Sequence, residues 1–102
     1  MTHLDSKEFH SRLNQPDYIL IDVRTPAEYQ QGHIKGAILA DINNPPAFMA
    51  EVEKLDKEKH YLIYCRSGAR STSACMYMEK MGFKNVYNLR GGILEWEFDI
   101  EK

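Results

Sequence analysis

A cysteine stands where an apolar, β-prone segment stops, in the stretch YLIYCRSGARS that covers residues 61–71. Cys65 is followed by two arginines, two serines, a glycine and an alanine, with no acidic residue among them. Positive charge and backbone N–H groups stabilise a thiolate, and the thiolate is the nucleophilic form of cysteine. The pattern therefore predicts an activated sulfur nucleophile, with a buried structural cysteine beside a solvated turn as the alternative.

The residues after Cys65 are of types that suit a cradle for an anion. Gly68 permits the chain to curl so that successive N–H groups converge on one point. Ser67 and Ser71 add hydroxyl donors of small size, and the two arginines attract an anionic substrate. If a helix starts within this stretch, its unpaired N–H groups add to the same positive potential.

Strand and helix signals alternate along the chain and place this stretch at a strand end. Apolar segments predict four strands: Tyr18–Val23, Ala37–Leu39, His60–Tyr64 and Val86–Leu89. Helix starts are predicted after Asp5, Thr25 and Asn44, and a short helix carrying Trp96 after Gly91-Gly92. A further helix is predicted over Ala69–Met81, with a buried face formed by Ala74, Tyr77, Met78 and Met81. Strands separated by helices indicate a mainly parallel α/β sheet, whose strand ends collect reactive groups.

Size and charge restrict the class of protein. With 102 residues, a single domain over positions 1–102 is expected. The formal net charge of −2 argues against general nucleic-acid or membrane binding. Two cysteines are too few for a disulfide scaffold, and the N-terminus shows no apolar signal segment, so we expect a reducing, cytoplasmic setting.

The same loop carries a resemblance to a known family. The sequence C-R-S-G-A-R-S after an apolar strand resembles the active-site loop of the rhodanese family of sulfurtransferases. Further matches stand in order along nearly the whole chain: Ile21–Arg24, Glu28-Tyr29, Gly32–Ile38, and Asn88–Ile93 with Trp96. The resemblance implies a rhodanese-like fold of about five mainly parallel strands flanked by helices on both faces.

The resemblance also implies a reaction. Cys65 would attack the outer sulfur of thiosulfate or of another persulfide donor, release sulfite in the first case, and hold the sulfur as a persulfide. The sulfur would pass to cyanide or to a thiol, including that of a thioredoxin-like protein. The residues around the sulfur would be those of the loop: Arg66, Ser67, Gly68, Ala69 and Arg70. No cofactor and no metal is expected, and the protein is expected to be a monomer.

Other classes of function remain open on sequence grounds. A persulfide carrier or a non-catalytic, partner-binding module of the same fold would use the same scaffold. Four residues separate Cys65 from Arg70. The similar loops of cysteine phosphatases and arsenate reductases have five residues between the cysteine and the arginine. The shorter loop suits a single sulfur atom, so sulfur transfer is favoured over phosphate ester hydrolysis.

Several other residues receive structural interpretations. Cys75 is expected to lie too far along the helix to resolve Cys65 as a disulfide. His33 is interpreted as a turn residue with a partnered ring, since no pair of histidines has metal-ligand spacing. Asp22 and Arg24 are expected to form an ion pair. Arg70 either faces the pocket or pairs with a carboxylate such as Glu28, and the second is favoured.

Overall fold

A five-stranded parallel sheet in the order β1-β5-β4-β2-β3 forms the centre of the molecule, in a computed structural model that describes residues 1–102. The strands are Thr2–Leu4 (β1), Tyr18–Asp22 (β2), Ile38–Leu39 (β3), His60–Tyr64 (β4) and Asn85–Leu89 (β5). The helices are Ser6–Arg12 (α1), Pro26–Gln31 (α2), Pro45–Val52 (α3) and Ala69–Lys80 (α4), followed by a 3-10 turn at Ile93–Glu95. The predicted α/β class with a five-stranded sheet is confirmed.

Each face of the sheet carries its own apolar core. One core contains Phe48 and Val52 of α3 together with Ala74 and Met78 of α4. The other contains Phe9 of α1, and residues of α2 and of the C-terminal segment pack against it. β4 lies between two other strands, and its residues Tyr61 to Tyr64 are all buried, so the strand gives rigid support to the loop that begins at its end.

The helix starts obey the local capping chemistry. The Asp5 side chain accepts a hydrogen bond from the backbone N–H of Glu8, and the Glu8 side chain accepts one from the N–H of Asp5. Thr25 and Glu28 form the same reciprocal pair at the start of α2. Both capping boxes agree with the sequence prediction, and each fixes a helix N-terminus at the residue that the sequence indicates.

Three details of the fold differ from the sequence prediction. The last helix is only the 3-10 turn Ile93–Glu95, which ends before Trp96. The sequence does not predict β1, which pairs with β5 at the edge of the sheet. Tyr77 is predicted to be buried but is 44% exposed. The buried face of α4 is formed instead by Ser71, Ala74, Cys75 and Met78. No helix of the chain combines the length and apolarity that a bilayer span requires.

Candidate active site

Cys65 directly follows β4 and lies at the carboxyl edge of the parallel sheet. The residue is only 1% exposed, although the next two residues are exposed. α4 begins four positions later, at Ala69, so the turn between strand and helix wraps around the sulfur. A parallel sheet directs its loops and helix N-termini to this edge, which explains why the thiol and the N–H groups meet here.

Gly68 closes the turn around the sulfur. Its φ of +106° lies in the left-handed region that glycine adopts without strain, and it is the residue before the first turn of α4. In this conformation the Gly68 N–H donates to Cys65 Sγ over 3.0 Å. One backbone donor of the predicted cradle, the Gly68 N–H, is therefore in hydrogen-bond contact with the sulfur.

Ser71, in the first turn of α4, supplies a second donor to the sulfur. Its hydroxyl lies 3.3 Å from Cys65 Sγ, and the residue is fully buried. Burial by itself raises the pKa of the Cys65 thiol, but hydrogen bonds from the Ser71 hydroxyl and from the N–H groups of Ser71, Gly68 and Ser67 outweigh it. The pKa of Cys65 is thus lowered below that of an ordinary thiol, as a nucleophile requires.

The loop is held from outside by the segment that begins at Gly91-Gly92. The N–H of Ile93 donates to the Cys65 carbonyl over 2.9 Å, and the N–H of Leu94 donates to the Arg66 carbonyl over 3.1 Å. Gly92 lies so close to the loop that an added Cβ would stand 2.3 Å from the Arg66 carbonyl oxygen. Sequence analysis identifies the Gly-Gly pair as a motif but not this role, because the contact joins residues far apart in the chain.

Arg70 turns away from the sulfur and pairs with Glu28 of α2. Its two terminal nitrogens each donate to one carboxylate oxygen of Glu28, over 2.8 Å in both cases. The hydrogen bonds from Arg70 are the main reason that the pKa of Glu28 is lowered from 4.5 to about 2. Of the two orientations considered for Arg70, the structure has the one that ties α4 to α2.

The remaining predicted loop residues lie at the rim. Arg66, Ser67 and Ala69 are all exposed. Contact of these three residues with a substrate stays a prediction, as does such a contact for Gly68 and Arg70.

A buried ion pair supports the sheet edge next to the loop. The Arg24 guanidinium donates to both carboxylate oxygens of Asp22, over 2.7 to 3.1 Å, and also to the Gly32 carbonyl over 2.7 Å. The Val23 N–H donates to the carbonyl of Tyr64, the residue before Cys65, over 3.1 Å. The pair therefore links the end of β2 to the end of α2 at Gly32, in agreement with the structural interpretation, and the Val23 hydrogen bond links the same segment to the end of β4.

The contacts of Cys75 and His33 indicate structural roles for both residues. Cys75 is a buried free thiol, and burial raises its pKa to about 12. The His33 ring stacks on Tyr29 with a centroid distance of 3.8 Å, and its Nδ1 lies 2.9 Å from the Tyr29 carbonyl oxygen. No group of three or more His, Cys, Asp or Glu side chains is arranged to hold a metal ion.

Two surface depressions lie outside the Cys65 loop. The larger, of about 800 Å³, lies between α1, the start of β2 and residues 96–99. The smaller, of about 380 Å³, lies between α3 and α4 and is lined by Ile42, Pro45, Phe48, Met49, Ser73 and Tyr77. Tyr77 thus forms the wall of a surface groove, which explains why it is not in the core.

Proteins of similar sequence match nearly the whole chain. A sulfurtransferase of Allochromatium vinosum is 42% identical over 97 residues, which are 94% of this chain and 88% of that protein. A tRNA uridine(34) hydroxylase of Pelagibacter ubique is 38% identical over 100 residues, 98% of this chain but only 33% of that protein. The chain therefore spans about a third of the length of that larger relative.

Solved structures show the same fold over the whole chain. The rhodanese-like domain protein of Staphylococcus aureus superimposes with a TM-score of 0.84 at 27% identity, over 99% of this chain and 97% of that one. A rhodanese-like domain from Anabaena gives a TM-score of 0.86 at 25% identity, over 99% of this chain and 79% of that one. The family model of the rhodanese-like domain matches residues 5–99, and the chain belongs to the rhodanese-like family.

Proposed function

We propose that this protein is a sulfurtransferase that carries sulfane sulfur as a persulfide on Cys65. The observation that carries the proposal is the convergence of donors on one atom: the Gly68 N–H at 3.0 Å and the Ser71 hydroxyl at 3.3 Å from Cys65 Sγ. These donors stabilise negative charge on the Cys65 sulfur when it attacks as a thiolate. They also stabilise the same thiolate when it is released as the sulfur passes to an acceptor.

The forward half-reaction begins with the Cys65 thiolate. Its lone pair attacks the outer sulfur of thiosulfate, the bond between the two thiosulfate sulfur atoms breaks, and its electron pair leaves with sulfite. The product is a persulfide whose outer sulfur carries the negative charge. The exposed Arg66 at the rim provides a cation for the thiosulfate dianion as it approaches.

The return half-reaction restores the thiolate. A thiolate of an acceptor, or cyanide in an assay, attacks the outer sulfur of the persulfide, and the electron pair of the broken sulfur–sulfur bond returns to Cys65. No net oxidant is required, because one sulfur atom with six valence electrons moves between two thiolates. A small thiol or a thioredoxin-like protein would serve as acceptor.

The size of the loop supports sulfur transfer over phosphate chemistry. Four residues separate Cys65 from Arg70, one fewer than in the phosphatase and arsenate reductase loops that it resembles. Arg70 is also occupied by Glu28 at 2.8 Å, so its guanidinium is not directed at an anion above the sulfur. A bound phosphate would need that guanidinium, whereas a single sulfur atom needs only the backbone and hydroxyl donors.

The experiment that tests the proposal is intact mass spectrometry after incubation with thiosulfate. The wild-type protein is expected to gain the mass of one sulfur atom, and dithiothreitol is expected to remove it. Cys65→Ser should show no gain while keeping the far-UV circular dichroism of the wild type. Thiosulfate, a cysteine-derived persulfide and glutathione persulfide, compared side by side, would identify the class of donor. Absence of the gain with all three would overturn the proposal.

A second candidate comes from the relatives named tRNA uridine(34) hydroxylase. Their identity to this chain extends over nearly all of it, so the same loop could serve in a larger enzyme that acts on tRNA. The formal net charge of −2 does not supply the basic excess that nucleic-acid binding usually needs, and this places sulfur transfer first. Gel-shift titration with total tRNA at low salt distinguishes the two, since the sulfurtransferase proposal predicts no retarded complex.

A further inference from the structure

Asn88 is a buried polar residue on the face of β5 that packs against α4. It is 2% exposed, and Val86, two positions earlier on the same face, is an ordinary apolar core residue. An apolar side chain at position 88 would continue that core, whereas a buried amide is costly unless its groups are hydrogen-bonded. The Asn88 side chain contacts the hydroxyl of Ser71 at one end and Nδ1 of His3, over 3.0 Å, at the other.

The Ser71 hydroxyl has one proton and three neighbours that can accept it. These are Cys65 Sγ at 3.3 Å, the Gly68 carbonyl oxygen at 3.2 Å and the side-chain amide of Asn88. If the amide presents its oxygen to Ser71, as it is oriented in the structure, that oxygen competes with the sulfur for the proton. If the amide presents its nitrogen, Nδ2–H donates to Ser71 Oγ, and the Ser71 proton is left for the sulfur or the Gly68 carbonyl oxygen. Of these two acceptors a thiolate is favoured, because hydrogen bonds to charged groups are the stronger ones.

His3 decides which orientation suits an ionised Cys65. It is the register partner of Asn88 across β1 and β5, so both side chains lie on the same face of the sheet. With Nδ1 protonated, His3 donates to an amide oxygen, and the amide nitrogen must then face Ser71. The two ends of an amide have the same shape, so the hydrogen-bond network determines their assignment. Both orientations give the amide a partner at each end, but only the one with its nitrogen toward Ser71 leaves the Ser71 proton free to reach the thiolate.

We propose that Asn88 is a positioning residue which, held by His3, directs the hydroxyl of Ser71 at the sulfur of Cys65. In the structure the Ser71 hydroxyl donates to Asn88 Oδ1, and Asn88 Nδ2 lies against His3 Nδ1. The proposed arrangement reverses the amide, so that His3 Nδ1–H donates to Asn88 Oδ1, Asn88 Nδ2–H donates to Ser71 Oγ, and the Ser71 hydroxyl donates to Cys65 Sγ. It connects the edge strand β1 to the nucleophile. The inference deepens the proposed function, because it names the residues that prepare the nucleophile of that same site.

The chain of hydrogen bonds has a chemical consequence for the thiolate. A hydroxyl that accepts a hydrogen bond is a stronger donor, since successive hydrogen bonds polarise one another. Loss of the Asn88 donor therefore weakens the Ser71 contribution even when Ser71 is retained. Arg70 and Cys75 of α4 also interact electrostatically with Cys65, and every variant used to test the proposal keeps both.

The test is the pH dependence of Cys65 alkylation by iodoacetamide, followed by peptide mass mapping. At pH values below the pKa of Cys65, Ser71→Ala should lower the thiolate fraction of Cys65 about tenfold. This is the effect expected for the loss of one hydrogen bond to a charged group. Asn88→Leu, which is similar in size, should lower the thiolate fraction about threefold. Asn88→Leu added to Ser71→Ala should have no further effect, because Asn88 acts only through the hydroxyl. No sulfur donor is used, so failure of the proposed sulfur transfer would not affect the readout.

A change of the Cys65 thiolate fraction in the opposite direction overturns the proposal. If Asn88→Leu raises the thiolate fraction, the amide oxygen competes for the Ser71 proton and Asn88 opposes the nucleophile. An unchanged profile, or an equal loss in the Ser71→Ala background, would also contradict it.

A pair of surface variants keeps the proposal testable if Asn88→Leu does not fold. His3 is exposed, so substitutions there leave the core intact. His3→Ala should shift the alkylation profile in the same direction as Asn88→Leu. His3→Asn, whose amide N–H can replace the imidazole Nδ1–H, should restore the wild-type profile although it carries no charge. Profiles of His3→Ala and wild type that coincide would contradict the role of His3 in holding Asn88.

Discussion

The ion pair between Arg70 and Glu28 makes a quantitative prediction about stability. Glu28→Gln removes the charge but leaves an oxygen that can accept from Thr25 in the capping box of α2. The lost pair has two contacts of 2.8 Å, between side chains that are 28% and 25% exposed. We expect the variant to lower the free energy of unfolding at neutral pH by about 1–2 kcal/mol.

The magnitude derives from the pKa of Glu28. Hydrogen bonds from Arg70 are the largest cause of its decrease from 4.5 to about 2, while partial burial acts in the opposite direction. A displacement of that size corresponds to at most about 3.4 kcal/mol. Water reaches both side chains and screens their attraction, which reduces the expected contribution to about 1–2 kcal/mol.

The same pKa fixes the direction of the pH dependence. The folded-state value lies below the unfolded value, so the pair stabilises the fold above pH 4.5. This stabilisation decreases as the pH falls below 4.5 and is lost as the pH passes through about 2, the folded-state value. The difference in stability between wild type and Glu28→Gln should therefore be smaller at acidic pH than at neutral pH.

Urea denaturation at neutral pH and between pH 4.5 and about 2 measures both quantities. Glu51→Gln is the matched control, because Glu51 makes one contact of 3.2 Å with Lys54 between more exposed side chains. The control should change the free energy of unfolding by no more than about 0.5 kcal/mol. The reasoning is refuted if Glu28→Gln behaves like the control, or if its effect does not depend on pH.

Three further predictions concern the loop around the sulfur. Gly92→Ala should strongly reduce sulfur loading, because the added Cβ would lie 2.3 Å from the loop backbone. Gly36→Ala is the control and should retain loading, since no atom lies within 4 Å of the added Cβ; similar loading of the two variants would refute the role of the contact. In the native protein iodoacetamide should alkylate Cys65 at pH values below the pKa of an ordinary thiol and should leave Cys75 unmodified. The Cys75→Ser variant should load sulfur like the wild type. Inserting one glycine after Gly68 should abolish loading, since the N–H donor would move away from Sγ; a variant that loads at the wild-type rate would show that loop length is not decisive.

The local features of the fold could be predicted because neighbouring residues determine them. Capping boxes at Asp5 and Thr25, and the strand that ends at Cys65, depend on patterns of a few residues. β1 escapes prediction because it has three residues, two of them exposed, and is a strand only through its pairing with β5 at the other end of the chain. No local pattern encodes such a pairing.

The error at Tyr77 has a different cause. Ala74, Tyr77, Met78 and Met81 have helical spacing, but so do Ser71, Ala74, Cys75 and Met78, which are the residues that α4 buries. The two sets share Ala74 and Met78, and only the hydroxyl of Ser71 makes the second set look less apolar. A serine is buried there because its hydroxyl contacts the Cys65 sulfur.

In the candidate site, too, some features could be predicted from the sequence and others could not. Cys65 and the turn at Gly68 lie in one continuous segment, so the residue types indicate them directly. The hydrogen bonds from the N–H groups of Ile93 and Leu94 to the loop carbonyls join segments that are distant in sequence, and so does the contact between Asn88 and Ser71. Their identification requires the order of the strands in the sheet.

The most direct measurement of the central claim is the amount of sulfite released in a single turnover without an acceptor. If Cys65 is the nucleophile that takes the outer sulfur, wild type and Cys75→Ser should each release one equivalent of sulfite per protein molecule, and Cys65→Ser should release none. Full release from Cys65→Ser would contradict Cys65 as the nucleophile, and no release from the wild type would contradict transfer of sulfur from thiosulfate to Cys65.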